Sequence, residues 1–345
     1  MGVQRQKRSV ACFLQVLLAL LSAQEARADP AGPESTTPHI PGLAPLNLPD
    51  AIDTSIVYTF DVWHNASGGL RTGTRYLDNL DLTVTVDAGR AFGWHGATLF
   101  IYGLTNNGVG MSRSLVGNFQ DSSNIETQVR AARLYEAWIE QKVAADKGSV
   151  KIGLFDLNSE FDVQETGALF VTASHGIGPD FSQSGRNGPS IFPVTSLAVR
   201  GDYQLADAWT VRAAVLDGVP GDPDHPKRLV SIELGNGDGA LLVGEVQYQA
   251  GRTRAVLGAW GYTSKFADIL ASARAGEPVM TDGSDGAYLT VERRFTRRSN
   301  TGGKGLRGWL RFGVANDRVN PLDHYLGGGF VYTGPFKGRA DDQAG

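Results

Sequence analysis

Cysteine is almost missing from this chain: 345 residues carry one, Cys12. Disulfide scaffolds and cysteine-held zinc are thereby excluded beyond residue 12. The six histidines, at 39, 64, 95, 175, 225 and 324, show no metal-ligand spacing, so neither a metal nor another cofactor is expected. Long apolar runs are equally scarce. One continuous run covers 10–21, shorter than the roughly 20 residues a membrane helix needs, and nothing comparable follows. A helical membrane protein is thus excluded. An excess of basic charge is lacking too: Lys+Arg number 32 against 36 Asp+Glu, the wrong balance for a nucleic-acid binder.

What is present begins with Arg5, Lys7 and Arg8, then the short apolar run, then Ala26-Arg27-Ala28. This three-part pattern predicts an export signal over 1–28, with cleavage after Ala28. Without that segment the chain holds 28 Lys+Arg against 35 Asp+Glu, net −7, and no thiol. Residues 29–50 are rich in Pro, Gly and Thr and read as a flexible lead-in. The body of the domain is 51–345. Glycine, at 44 residues, is nearly twice its usual share of about 7%. Together with alternating apolar and polar positions, it points to an all-β protein.

The alternation is clearest in two stretches. Residues 55–65 set Ile56, Tyr58, Phe60 and Val62 against Thr59, Asp61, Trp63 and Asn65; residues 76–87 set Leu80, Leu82, Val84 and Val86 against Asn79, Asp81, Thr83 and Thr85. Further strands are predicted over 97–106, 129–143, around Val150, Ile152 and Leu154, and over 195–205, 209–217, 240–250, 253–264, 285–296, 305–316 and 324–333, about twelve in all. The 129–143 stretch is ambiguous, because Arg130, Arg133, Glu136, Glu140 and Lys142 fall on both faces. Residues 235–239 and 282–286 carry Gly and Asp turn chemistry.

Two architectures fit this pattern. A soluble exported β-sandwich, a glycan-binding protein for instance, would bury the apolar face. A transmembrane antiparallel β-barrel would turn that face to lipid and its charges to a wet lumen. Strands of about ten residues and alternating short and long connections favour the barrel. Trp94, Trp138, Trp209 and Tyr332 then become candidates for interfacial girdles.

Between the strands ending near 155 and starting near 195 lie roughly 38 residues, far beyond an ordinary connection. They carry Phe161, Leu169, Phe170, Val171, Ile177, Phe181, Ile191 and Phe192, too much apolar surface for a solvated linker. The segment is expected to fold back onto the sheet. Catalytic signals are weak: Ser174-His175 has Asp180 nearby but lacks a nucleophile elbow, and the acidic runs at 221–225 and 282–286 lack a calcium-loop pattern. A barrel hydrolase is the least favoured reading. The polar face offers instead aromatics beside planar donors and acceptors: Asp61, Trp63, Asn79, Asp81, Glu160, Asp162, Arg200, Arg212 and Arg254. That mixture suits sugar hydroxyls and sugar C–H faces. Solvated or mutually paired charges explain the same residues structurally.

Several blocks carry a resemblance: YTFDVW at 58–63, YLDNLDL at 76–82, RLYEAWIEQ at 133–141 and GLFDLNSEF at 153–161. SHGIGPDFSQSG from Ser174, IFPVTSLAVR from Ile191, AAVLDGVPGDP from Ala213 and VYTGPFKGRADD from Val331 extend it. In order and spacing the chain resembles the carbohydrate-selective porins of the OprB type. The resemblance implies an outer-membrane barrel of 16 strands, admitting small sugars by facilitated diffusion, with 156–195 as constriction loop. It makes Asp156, Asn158, Glu160 and Asp162 the first candidates for pore-lining sugar contact, followed by Glu136 and Arg133, with Asp61, Trp63, Asn79, Asp81 and Arg200 from the alternation. Expected partners are small sugars and outer-membrane lipid, without nucleic acid, in a monomer or trimer. Because about twelve strands precede Gly345, the domain is expected to be incomplete at its C-terminus, since open edges are not viable in lipid.

Overall fold

A computed structural model describes residues 49–235, 237–296 and 305–345. The expected signal, 1–28, and nearly all of the lead-in lie outside the described residues. The fold is all-β. Its strands are β1 (Ile52–Asn65), β2 (Gly73–Asp87), β3 (Ala97–Asn106), β4 (Ala131–Val143), β5 (Gly148–Phe155), β6 (Ser196–Ala206) and β7 (Trp209–Asp217). β8 (Ala240–Ala250), β9 (Thr253–Ala267), β10 (Met280–Arg294), β11 (Gly305–Ala315), β12 (His324–Thr333) and the two-residue β13 (Gln343–Ala344) follow. Each pairs antiparallel with its sequence neighbour in one sheet, ordered β1 to β13. The count exceeds the expected twelve by β13, too short to leave an alternation in the sequence.

Connections at one end of the sheet are tight. β6 and β7 are joined by Asp207-Ala208, and β8 and β9 by Gly251-Arg252. Between β2 and β3 lies α1 (Ala88–Phe92), where the Asp87 carboxylate accepts from Arg90 N–H and Gly93, at φ 77°, ends the turn. The three longest connections, 107–130, 156–195 and 218–239, are all at the other end, the arrangement of outer-membrane barrels. Residues 282–286 depart from their turn-like composition: they belong to β10, where a bulge between Asp282 and Ser284 absorbs the Gly-Asp chemistry.

Burial along the strands is inverted relative to a soluble sandwich. Phe60, Val62, Ile152, Leu257 and Phe330 are 56–66% exposed. Their neighbours in the alternation, among them Lys151, Arg200, Glu245, Arg254, Glu292 and Arg311, are buried. One face is therefore apolar and exposed, and the other charged and enclosed. This is the arrangement of a barrel in lipid. Trp138 is a correction to the girdle reading: it faces inward, stacked on Phe100 at 4.9 Å with Lys151 Nζ 4.0 Å from its ring centre.

A bulge accounts for the ambiguous alternation of β4. Tyr102 opposes Glu136 and Gly103 opposes Leu134, so Tyr135 has no partner across β3. The extra residue reverses the alternation, and Arg133, Tyr135 and Glu136 all reach the enclosed side.

Candidate functional site

The 40 residues between β5 and β6 occupy the enclosed side of the sheet. Phe161 and Phe181 are fully buried in a cluster with Phe155, Leu216, Leu241, Trp260 and Tyr288, and Phe181 stacks on Trp260 at 4.8 Å. Each such side chain contributes about 1.5–3 kcal/mol of burial. Phe170 packs against Trp309 and Phe192 against Tyr135. The four phenylalanines thus hold the segment at three places, Phe161 and Phe181 sharing one.

Polar contacts then fix its path. Asp156 caps the 3-10 turn Leu157–Ser159 by accepting from Asn158 N–H at 2.8 Å, and Tyr135 donates its hydroxyl to the same carboxylate at 2.7 Å. Burial pushes the Asp156 carboxyl up to about 6, against the lowering effect of those donors. Asn158 donates to the carbonyls of Phe161 and Gly176. Glu160 meets three cations from the wall: Lys151 at 2.5 Å, Arg200 at 2.6 Å and Arg212 at 3.2 Å. Asp162 takes a bidentate pair from Arg311, with Nε at 3.0 Å and Nη2 at 2.7 Å. The same guanidinium bonds Asp180, and all three side chains have no solvent exposure. Gly178 and Gly313 make room for this triad, since a Cβ at either would collide with the Arg311 guanidinium.

Further along, the Glu292 carboxylate accepts the backbone N–H groups of Glu165 and Thr166 and pairs with Arg254 at 2.9 Å. Glu245 accepts Asp162 N–H at 2.7 Å and the Tyr288 hydroxyl at 2.7 Å. Anchors on β5 to β8, β10 and β11 hold one short segment, so the sheet curves around it. A second inward connection, 107–130, completes a strut across the enclosed space. Ser123 donates to Asp61 on β1 at 2.6 Å, Asn124 N–H to the Val171 carbonyl at 2.7 Å, and Ser174 to Gln120.

The sequence-derived candidates fall into two connected groups. Asp156, Asn158, Glu160, Asp162, Glu136, Arg133 and Arg200 lie in or beside the inward segment. Glu136 accepts from Asp156 N–H and Trp138 Nε1, Arg200 bridges Glu160 and Glu140, and Arg133 donates to the Pro226 carbonyl at 2.7 Å. Asp61, Trp63, Asn79 and Asp81 lie on the inner face of β1 and β2. Trp63 donates to Asp61, while Asn79 and Tyr102 donate to Asp81, and Tyr102 meets Tyr135 at 4.9 Å. Sequence reasoning missed Lys151, Glu245 and Glu292, and gave Asp180 and Arg311 no joint role. Their signal was inward alternation on β5, β8, β10 and β11, but no local pattern pairs residues 131 positions apart.

The arrangement contains no activated nucleophile. Ser174 commits its hydroxyl to Gln120, and the His175 ring packs against Phe170 and Trp309. What it offers is a fixed interior lined by paired charges and hydrogen-bonding groups.

Residues 71–345 match the carbohydrate-selective porin, OprB family. The chain belongs to the OprB family. Its relatives in that family are porins, channels rather than enzymes. Porin B of Pseudomonas aeruginosa is 26% identical over 334 residues, covering 86% of this chain and 69% of the relative. The high-pH structure of Pseudomonas putida OprB superposes with a TM-score of 0.76 at 21% identity, over 85% of this chain and 73% of that one. The low-pH structure of the same protein gives 0.51 at 17% identity, over 85% and 75%. These likenesses give this OprB-family chain the fold of a porin barrel.

Proposed function

We propose that the chain is a passive outer-membrane channel for small sugars, above all monosaccharides, narrowed by residues 156–195. The inverted burial carries this reading: an apolar outer face suited to lipid surrounds a charged, hydrogen-bonded interior. A glycan-binding sandwich would need the opposite arrangement. Within the interior the roles divide. Glu160, Asp162 and Arg200 anchor the constriction, Asp156, Glu136 and Arg133 shape its start, and Asn158 borders it. Asp61, Trp63 and Asp81 on the facing wall then meet the sugar, Trp63 as a platform and the two carboxylates through hydrogen bonds, while the buried Asn79 holds Asp81 in place. Trp63, Asp61 and Asp81 support this by staying half-buried, with surface left for a solute.

Liposome swelling tests the reading. Vesicles containing the purified protein should swell quickly in D-glucose and far more slowly in the trisaccharide raffinose. Absence of swelling, or equal rates for both sugars, would contradict it. Recovery from the soluble periplasmic fraction instead of the outer membrane would favour the sandwich.

A further inference from the structure

Arginines on the enclosed face of β6 to β11 follow a pattern with one break. Arg200 pairs with Glu160 and Glu140, Arg212 with Glu160, Arg254 with Glu292, and Arg311 with Asp162 and Asp180. At the tight-turn end this neutralisation stops. Arg294, the last residue of β10, stands directly opposite Arg307 of β11 in the ladder. Both share the face of Glu292 and Trp309, the register pair one step further in. Arg252 joins them from the β8–β9 turn: its carbonyl accepts Arg294 N–H at 2.9 Å, and among the described residues its side chain donates to the Phe295 carbonyl, at 3.5 Å.

Among the described residues no carboxylate neutralises Arg252, Arg294 or Arg307. Glu292, two residues further in on the same strand, is committed to Arg254, Glu165 and Thr166. The sequence 295–304 contains no Asp or Glu either. Register partners on antiparallel strands lie about 4.5–5.5 Å apart at Cβ, where like charges repel and destabilise the pair. Arg252 and Arg294 are exposed and Arg307 half-buried, so the three guanidiniums stand together within reach of a solute anion. Forked guanidinium donors match carboxylate and phosphate oxygens.

We propose that Arg252, Arg294 and Arg307 form an oxyanion site at the tight-turn mouth of the channel, and that it takes sugars bearing a carboxylate or a phosphate. The proposal rests on the porin reading for its solute class, but binding at the site is measurable without conduction. Titration calorimetry on the detergent-solubilised protein would compare D-gluconate, D-glucose 6-phosphate, inorganic phosphate and D-glucose. The two anionic sugars should bind, with affinity falling as salt rises. Arg294→Gln and Arg307→Gln should each weaken them by about tenfold or more, the loss of one hydrogen bond to a charged group. Arg307→Lys should retain part of the affinity, and glucose-driven liposome swelling should be unchanged in all three variants, which also reports that they fold.

Equal binding of glucose and gluconate, or unchanged affinity in both glutamine variants, would overturn the site. Inorganic phosphate binding as tightly as the sugar phosphate would overturn its assignment to sugars. Wild-type protein that conducts glucose but binds neither anionic sugar refutes this proposal and leaves the porin reading intact. Arginine-dependent binding by a protein that conducts nothing refutes the porin reading and leaves the site standing.

Discussion

Arg311→Met removes the guanidinium that joins two fully buried carboxylates while keeping a chain of similar length. Arg311 makes bonds of 3.0 and 2.7 Å to Asp162 and further bonds to Asp180, one of them 3.1 Å. Asp162 would retain only Gly178 N–H, at 3.2 Å, at its carboxylate. Stranding the partners of a buried ion pair costs about 3–5 kcal/mol. Because the triad joins the inward segment to β11, the cost falls on the segment's docking. It corresponds to roughly two to four orders of magnitude in the docked-to-released equilibrium. Hydrogen exchange over 156–195 in detergent micelles reads this, with heat-modifiable gel migration as a check on the barrel. Wild type should protect the segment and Arg311→Met should not. The triple variant Arg311→Met, Asp162→Asn, Asp180→Asn should recover most of the protection, since no charge is then stranded. Burial already raises the Asp180 carboxyl above its usual range, with Arg311 opposing, so lowering the pH should partly rescue the single variant. Unchanged protection in Arg311→Met, or no recovery in the triple variant, would refute the reasoning.

Other perturbations probe neighbouring parts. Glu160→Ala leaves Lys151, Arg200 and Arg212 facing one another without their shared anion, and should weaken the start of the segment by about 1–3 kcal/mol; faster raffinose entry in liposome swelling would report the widened passage. Asp156, pushed up to about 6, binds its proton more tightly in the folded protein than in the unfolded chain, where a carboxyl titrates near 3.9. Its contribution therefore favours the docked state increasingly as pH falls through 6 towards 4 and is level below that; exchange protection measured at pH 7.5 and 5 should show this increment in wild type and lose it in Asp156→Asn. On the outer face, Leu257→Arg should cost about 2–4 kcal/mol at the bilayer midplane, measured as reduced urea resistance in lipid vesicles. Indifference to that change would argue against a lipid-facing β9.

Much of the fold was legible because alternation is a local property. Asp61 and Trp63, or Asn79 and Asp81, mark their face within a few residues. Legibility failed where one residue changes the count: the bulge at Tyr135 scattered the β4 charges over both apparent faces, and the bulge near Gly283 gave a strand the composition of a turn. The inward segment was detectable from its phenylalanines. Its electrostatics were not, because Asp162 lies 149 positions from Arg311 and Thr166 lies 126 from Glu292. Glu160 and Asp162 read as candidate sugar contacts from their motif; in the fold their carboxylates also pair with Lys151, Arg200, Arg212 and Arg311, partners on other strands that no local pattern assigns.

The central claim is a water-filled sugar path through a barrel narrowed from within. Single-channel recording in planar bilayers tests it most directly. The purified protein should insert with discrete conductance steps, and added D-glucose should reduce the current reversibly and in a saturable way. Bilayers that show no steps, or steps that glucose leaves unchanged at saturating concentration, would contradict the account.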